Sequence, residues 1–119
     1  MVHPIFELTE WLERQKGQTL MIYKSEFSTG KEEIIDRDEV KLVLNDVSVR
    51  DIERHDEDDY LANQEIILHG EGQIHTDRGQ QELPQSVYEI PIYDDFATQD
   101  RENGIRVETE KAIYTILPQ

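Results

Sequence analysis

At Gly17 the apolar residues of this chain change their period, and that change decides what it can fold into. Before it, Ile5, Leu8, Trp11 and Leu12 recur at spacings of three and four, drawing one stripe along a helix over residues 4–16. Pro4 suits the first turn, where its missing N–H is not needed, and Gly17 suits the left-handed residue just past the end. Glu7 and Glu10 lie towards the positive end of the helix dipole, Arg14 and Lys16 towards the negative end. Trp11, on the stripe, reads as a core anchor.

After Gly17 the chain reads as short β-rich runs separated by turn residues. Residues 18–27 form the first run, and Ser28-Thr29-Gly30-Lys31 turns it towards a short segment around Ile34 and Ile35. Val40, Leu42 and Leu44 alternate, as do Val47 and Val49, with Asn45-Asp46 between the two sets. Either a tight hairpin there sets Leu44 against Val47 and Leu42 against Val49, or one long strand bends at a bulge. Residues 65–69 are a strand that Gly70-Glu71-Gly72 turns back into 73–76, and Asp77-Arg78-Gly79 turns that into 80–83. Tyr88, Ile90 and Ile92 alternate around Pro91, which cannot donate a ladder bond and so places its strand at a sheet edge. Residues 94–104 hold few apolar anchors and read as a mobile acidic loop. The runs 104–109 and 112–117 close on Glu110-Lys111, stacking Val107 on Tyr114 and Ile105 on Ile116 and tying in the C-terminus.

The expected fold is therefore mainly β (α+β). An N-terminal helix precedes a small antiparallel, strongly bent β-barrel or roll of about seven to nine short strands, with the helix plugging an open end or covering a face. The β-rich body spans about residues 18–117 of a single domain, 1–119. A chain of this length buries roughly two-thirds of its unfolded surface, enough for one core.

Charge narrows the function. Twenty-seven Asp and Glu against twelve Lys and Arg give −15, and no two basic residues are adjacent. Phosphate backbones and anionic membrane surfaces are bound by clustered cations, so neither nucleic acid nor a membrane is an expected partner. No window approaches the run of about 18 apolar residues that spans a bilayer. The N-terminus has Glu7 and Glu10 where a signal peptide would be apolar, so a soluble, cytoplasmic location is expected. With no cysteine, disulfides, thiolate metal sites and cysteine nucleophiles are excluded.

Catalytic signatures fail one by one. Gly30-Lys31 has Ser25 where a phosphate loop needs its first glycine and Glu32 where it needs Ser or Thr. Gly70-Glu71-Gly72 has His75 in place of a dinucleotide fingerprint's third glycine, and no serine sits in a Gly-x-Ser-x-Gly context. The run His55-Asp56-Glu57-Asp58-Asp59 offers the oxygens that calcium prefers, with His55, Asp56, Asp58 and Asp59 as candidate ligands. Counted from Asp56 as an EF-hand loop, however, it has Leu61 for the glycine and Ile67 for the final Glu. A solvated acidic loop between strands is the preferred reading of the run. In a hairpin turning at Gly70–Gly72, His69 and His75 would share one face diagonally, within reach of a common zinc that needs further ligands. Exposed polar histidines give the same pattern.

The order of elements over residues 4 to 76 resembles that of Sm-like RNA-binding proteins, and Val40-Lys41-Leu42-Val43-Leu44-Asn45-Asp46 resembles that family's second-strand run. The glycine expected after Asp46 is Val47, and the family's RNA-facing positions find no counterpart. The leading functional expectation is a non-catalytic protein-interaction or binding module whose partner is a protein or a second copy of itself, with no cofactor. The alternative is a divalent-cation binder or metal-dependent enzyme using the 55–59 run or the His69/His75 pair.

Overall fold

The computed structural model describes residues 4–27, 34–51, 64–76, 79–92, 96–101, 103–109 and 111–119. Helix α1 (Pro4–Glu13) buries Ile5, Leu8 and Leu12 and leaves Phe6 62% exposed. It ends before residue 16 because the next bonds tighten: Gln15 N–H reaches Leu12 O at 2.9 Å and Lys16 N–H reaches Glu13 O at 3.4 Å. Gly17 then takes φ +88° and donates its N–H to Leu44 O at 2.7 Å. The Lys16 ammonium lies 2.7 Å from Glu13 and 3.1 Å from Asp46, and its hydrogen bond holds the Asp46 carboxyl below the usual carboxylate range.

Ten strands follow among the described residues: β1 (Thr19–Phe27), β2 (Ile34–Val43), β3 (Asp46–Asp51), β4 (Gln64–His69), β5 (Gly72–Thr76), β6 (Gly79–Glu82), β7 (Val87–Ile92), β8 (Phe96–Arg101), β9 (Gly104–Thr109) and β10 (Ala112–Pro118). They build a seven-stranded sheet in the order β6-β5-β2-β1-β10-β9-β8 and a three-stranded sheet in the order β3-β4-β7. Every ladder is antiparallel. The protein is thus mostly β with one N-terminal helix.

Alternation along the strands sends one set of side chains between the sheets. Leu20, Ile22, Val40, Leu42, Val107 and Ile116 from the large sheet meet Ile66, Leu68 and Ile90 from the small one, in one cluster that includes the helix stripe. Trp11 packs against that cluster, half-buried. Helix α1 lies against β8 and β3, the edge strands on one side of the two sheets, and so covers that side of the core. Thr98 on β8 donates to Glu7 on the helix at 3.4 Å.

Several local expectations match. Val107 pairs with Tyr114 and Ile105 with Ile116, and β10 is bonded on its other side to β1, tying down the C-terminus. Thr109 Oγ1 holds the β9–β10 turn, accepting from Lys111 N–H at 3.2 Å and Ala112 N–H at 3.1 Å. Pro91 lies on β7, at an edge of the small sheet. Strands β5 and β6 pair from Thr76↔Gly79 onward.

Three expectations need correction: the hairpin at Asn45-Asp46, the hairpin at Gly70–Gly72 and the loop over 94–104. As for the barrel or roll, no ladder among the described residues closes a barrel, and the strands divide into two sheets with edges at β6, β8, β3 and β7. Of the two readings of Asn45-Asp46 the bend holds: β2 and β3 belong to different sheets and the chain bends from one to the other there. Gly70–Gly72 likewise does not fold β4 back on β5. It carries the chain from the small sheet to the large one, with Gly70 N–H on Ser86 O at 2.9 Å and Val43 N–H on Glu71 O at 2.9 Å. Within the expected 94–104 loop lies β8, which pairs with β9 from Phe96↔Thr109 to Arg101↔Gly104. A backbone ladder needs no apolar side chains, which is why composition missed it. No helix among the described residues is long and apolar enough to cross a membrane.

Candidate interaction surface

The small sheet and α1 lie on the core side of the seven-stranded sheet, so the residues in the opposite phase of its strands form an outer face. Three cross-strand rows define it. The first runs Gln80, His75, Glu39, Tyr23, Thr115, Arg106, Gln99 across all seven strands. On one side of it run Arg37, Ser25, Ile113, Glu108, Ala97. On the other run Glu82, Gln73, Lys41, Met21, Leu117.

The middle of this face, on β1 and β10, is apolar: Met21, Tyr23, Ile113 and Leu117, with Tyr23 40% exposed. Charges flank it. Arg37, Lys41 and Arg106 balance Glu39, Glu82 and Glu108, so the rows are neutral on a chain of net charge −15. Arg106 also pairs with Glu108 at 2.7 Å. At the β2–β5–β6 end a groove of about 530 Å³ opens beside Lys41, Val43, Gln73, Glu82 and Ser86.

The residues singled out as metal ligands are not brought together among the described residues. His55, Asp56, Asp58 and Asp59 lie outside the described residues. His69 and His75 sit on β4 and β5, strands of different sheets, so the shared hairpin face expected of them does not exist. His69 Nε2 lies 2.9 Å from Ser48 Oγ on β3, while His75 stands opposite Glu39 and Gln80. Among the described residues no three His, Cys, Asp or Glu side chains converge on a metal-sized site.

A polar cluster also lies on the core side, where β1 and β2 pass beyond the last apolar layer. Lys24, in register with Tyr114 and Asp38, lies 3.6 Å from Glu26 and 5.8 Å from the centre of the Tyr114 ring. Tyr88 reaches towards them from the small sheet, and its hydroxyl is buried with no hydrogen-bond partner among the described residues. Burial first, then Tyr114, Asp38 and Glu26, push the Tyr88 phenol far above its ordinary 10.0, so it stays protonated and cannot act as a base.

A phenol raised in this way favours the folded state fully below pH 10 and loses that contribution above it, where the unfolded phenol ionises and the buried one does not. Tyr88→Phe is therefore expected to change neutral-pH stability by less than about 1 kcal/mol, because it removes a buried hydroxyl without orphaning a partner. It should also flatten the decline of melting temperature above pH 10. A loss of several kcal/mol at pH 7 would mean that the hydroxyl is bonded.

The face carried a sequence signal that alternation alone overlooked. Leu20-Met21-Ile22-Tyr23 and Ala112-Ile113-Tyr114-Thr115-Ile116-Leu117 are apolar in both phases, the pattern of strands covered on both sides. Comparison with known proteins gives a full-length match: the family model described as "YmzB-like protein" spans residues 1–119. A protein of Bacillus subtilis (strain 168) described as "Uncharacterized protein YmzB" is 41% identical over 116 residues, covering 98% of this chain and 96% of that protein. No solved structure matches.

Proposed function

Because this chain belongs to the YmzB-like family, whose description states no activity, we propose its role from its surface: a non-catalytic module that binds a protein on the outer face of the seven-stranded sheet. One observation carries the reading. Strands β1 and β10, in the middle of the sheet, carry apolar residues in both phases, yet among the described residues only the core side of the sheet is covered. An antiparallel sheet meant for water on one side shows alternation instead. The balanced charge of the same face adds support, since a solvated face of so acidic a chain would be expected to share its acidity.

The reading is tested by placing the photo-crosslinking residue benzoylphenylalanine at Tyr23 and, separately, at Glu89 on the far side of the small sheet. Irradiated cells are expected to yield a covalent protein adduct from the Tyr23 position and none from Glu89. Adducts at neither position, or equally at both, would overturn it.

A further inference from the structure

We infer that the occupant of this face is a second copy of the chain, related by a two-fold axis that runs along the strands midway between β1 and β10; this rests on the interaction reading above. Rotation about such an axis lays β1 over the partner's β10 and β2 over the partner's β9 while keeping each cross-strand row in place. In the central row, Glu39 then faces the partner's Arg106, and Tyr23 faces the partner's Thr115. In the next row, Arg37 faces the partner's Glu108 and Ser25 the partner's Ile113. In the third, Met21 faces the partner's Leu117.

Two adjacent rows carry opposite charge orders, Glu then Arg in one and Arg then Glu in the other, and a single axis matches both. By symmetry each match occurs twice, giving four ion pairs around an apolar centre. That is the self-complementarity an isologous interface requires.

The charge of the chain selects the same face. Two copies at −15 repel across most of their surfaces, and docking is least opposed where each presents three basic and three acidic side chains. A basic partner, by contrast, would gain nothing here over the acidic remainder of the molecule. Size is adequate too. With β6 overhanging, the six strands from β5 to β8, about 4.8 Å apart and roughly six residues long at about 3.3 Å each, give a planar footprint of about 570 Å², and side-chain relief raises its accessible area towards the ~800 Å² per partner of a stable complex.

Sedimentation of the full chain is expected to show a dimer. Glu39→Arg and Arg106→Glu should each weaken dimerisation by tenfold or more, since each places like charges face to face twice, and the double variant should return to about the wild-type constant. The second pair, Arg37→Glu with Glu108→Arg, repeats the test independently should a variant of the first misfold by circular dichroism. A dimer unaffected by the single changes, or one that the charge swap fails to restore, overturns the two-fold. A monomeric wild type whose Tyr23 position crosslinks to a different protein overturns it while leaving the interaction reading standing. A monomeric wild type with no adduct overturns both.

Discussion

Gly70→Ala is expected to destabilise the protein by more than about 4 kcal/mol, the range reserved for changes that a fold cannot absorb. A β-carbon at this position would lie 1.8 Å from the carbonyl oxygen of Val43, 2.8 Å from Leu42 Cδ1 and 2.9 Å from the Val43 carbonyl carbon. The obstacle is backbone, and it is held on several sides. Val43 pairs with Thr19 across the sheet, its N–H binds Glu71 O at 2.9 Å, and Leu44 N–H binds Gln18 O at 2.9 Å. Relief therefore means separating β4 from the end of β2 and breaking the Gly70 N–H bond to Ser86 O. Against a total stability of about 5–15 kcal/mol for an ordinary domain, such a loss leaves little folded protein at 37 °C. Urea titration measures it, with Gly17→Ala as the control. There φ is +88° but nothing lies within 4 Å, so only backbone strain of about 1–2 kcal/mol is expected. Equal losses at the two sites would show that the crossing relaxes and that contact is not what requires Gly70.

Leu12→Ala is expected to cost about 2–5 kcal/mol, the measured range for emptying a closed leucine site. Leu12 is fully buried on the stripe that α1 turns towards the core, between β8 and β3. Helix α1 packs on β8 and β3, edge strands of the two different sheets, so the site has limited means to collapse. Phe6→Ala, on the solvent side of the same helix, should change stability by less than about 0.5 kcal/mol. A small effect of Leu12→Ala would mean that the helix is a peripheral cover, and the two sheets would then have to hold each other without it. Hydrogen exchange separates these cases, since loss of a bridging helix should speed exchange in β3 and β8 before β1 or β10.

Both changes act where legibility in the sequence differed. The helix was readable because Ile5, Leu8 and Leu12 are related by spacings that only a helix brings to one face, and its end was marked by Gly17. The β9–β10 hairpin was readable to the residue, because a short turn at Glu110-Lys111 leaves one register that buries Val107, Tyr114, Ile105 and Ile116 together. Pro91 announced its edge by lacking a donor. What these features share is range: each is settled by residues within about ten positions of one another, where chain connectivity restricts the options.

The other features depend on which distant strand arrives. Asn45-Asp46 and Gly70–Gly72 have hairpin chemistry, yet the chain uses both as crossings between sheets, because Leu44, Ile66 and Leu68 are buried better between two layers than along one. Gly70 read as a turn residue and proved to be a contact residue, a role visible only once Val43 stands beside it. Strand β8 had no apolar pattern of its own and exists because β9 offers it a ladder. The outer face follows the same division. The sequence by itself determined that Leu20–Tyr23 and most of 112–117 are apolar in both phases. Only the tertiary structure decided that these two strands are neighbours, and that Glu39 and Arg37 flank one side of them while Arg106 and Glu108 flank the other. Local spacing specifies a strand and its two faces; strand order is set by the whole core at once, through pairings that connectivity does not constrain.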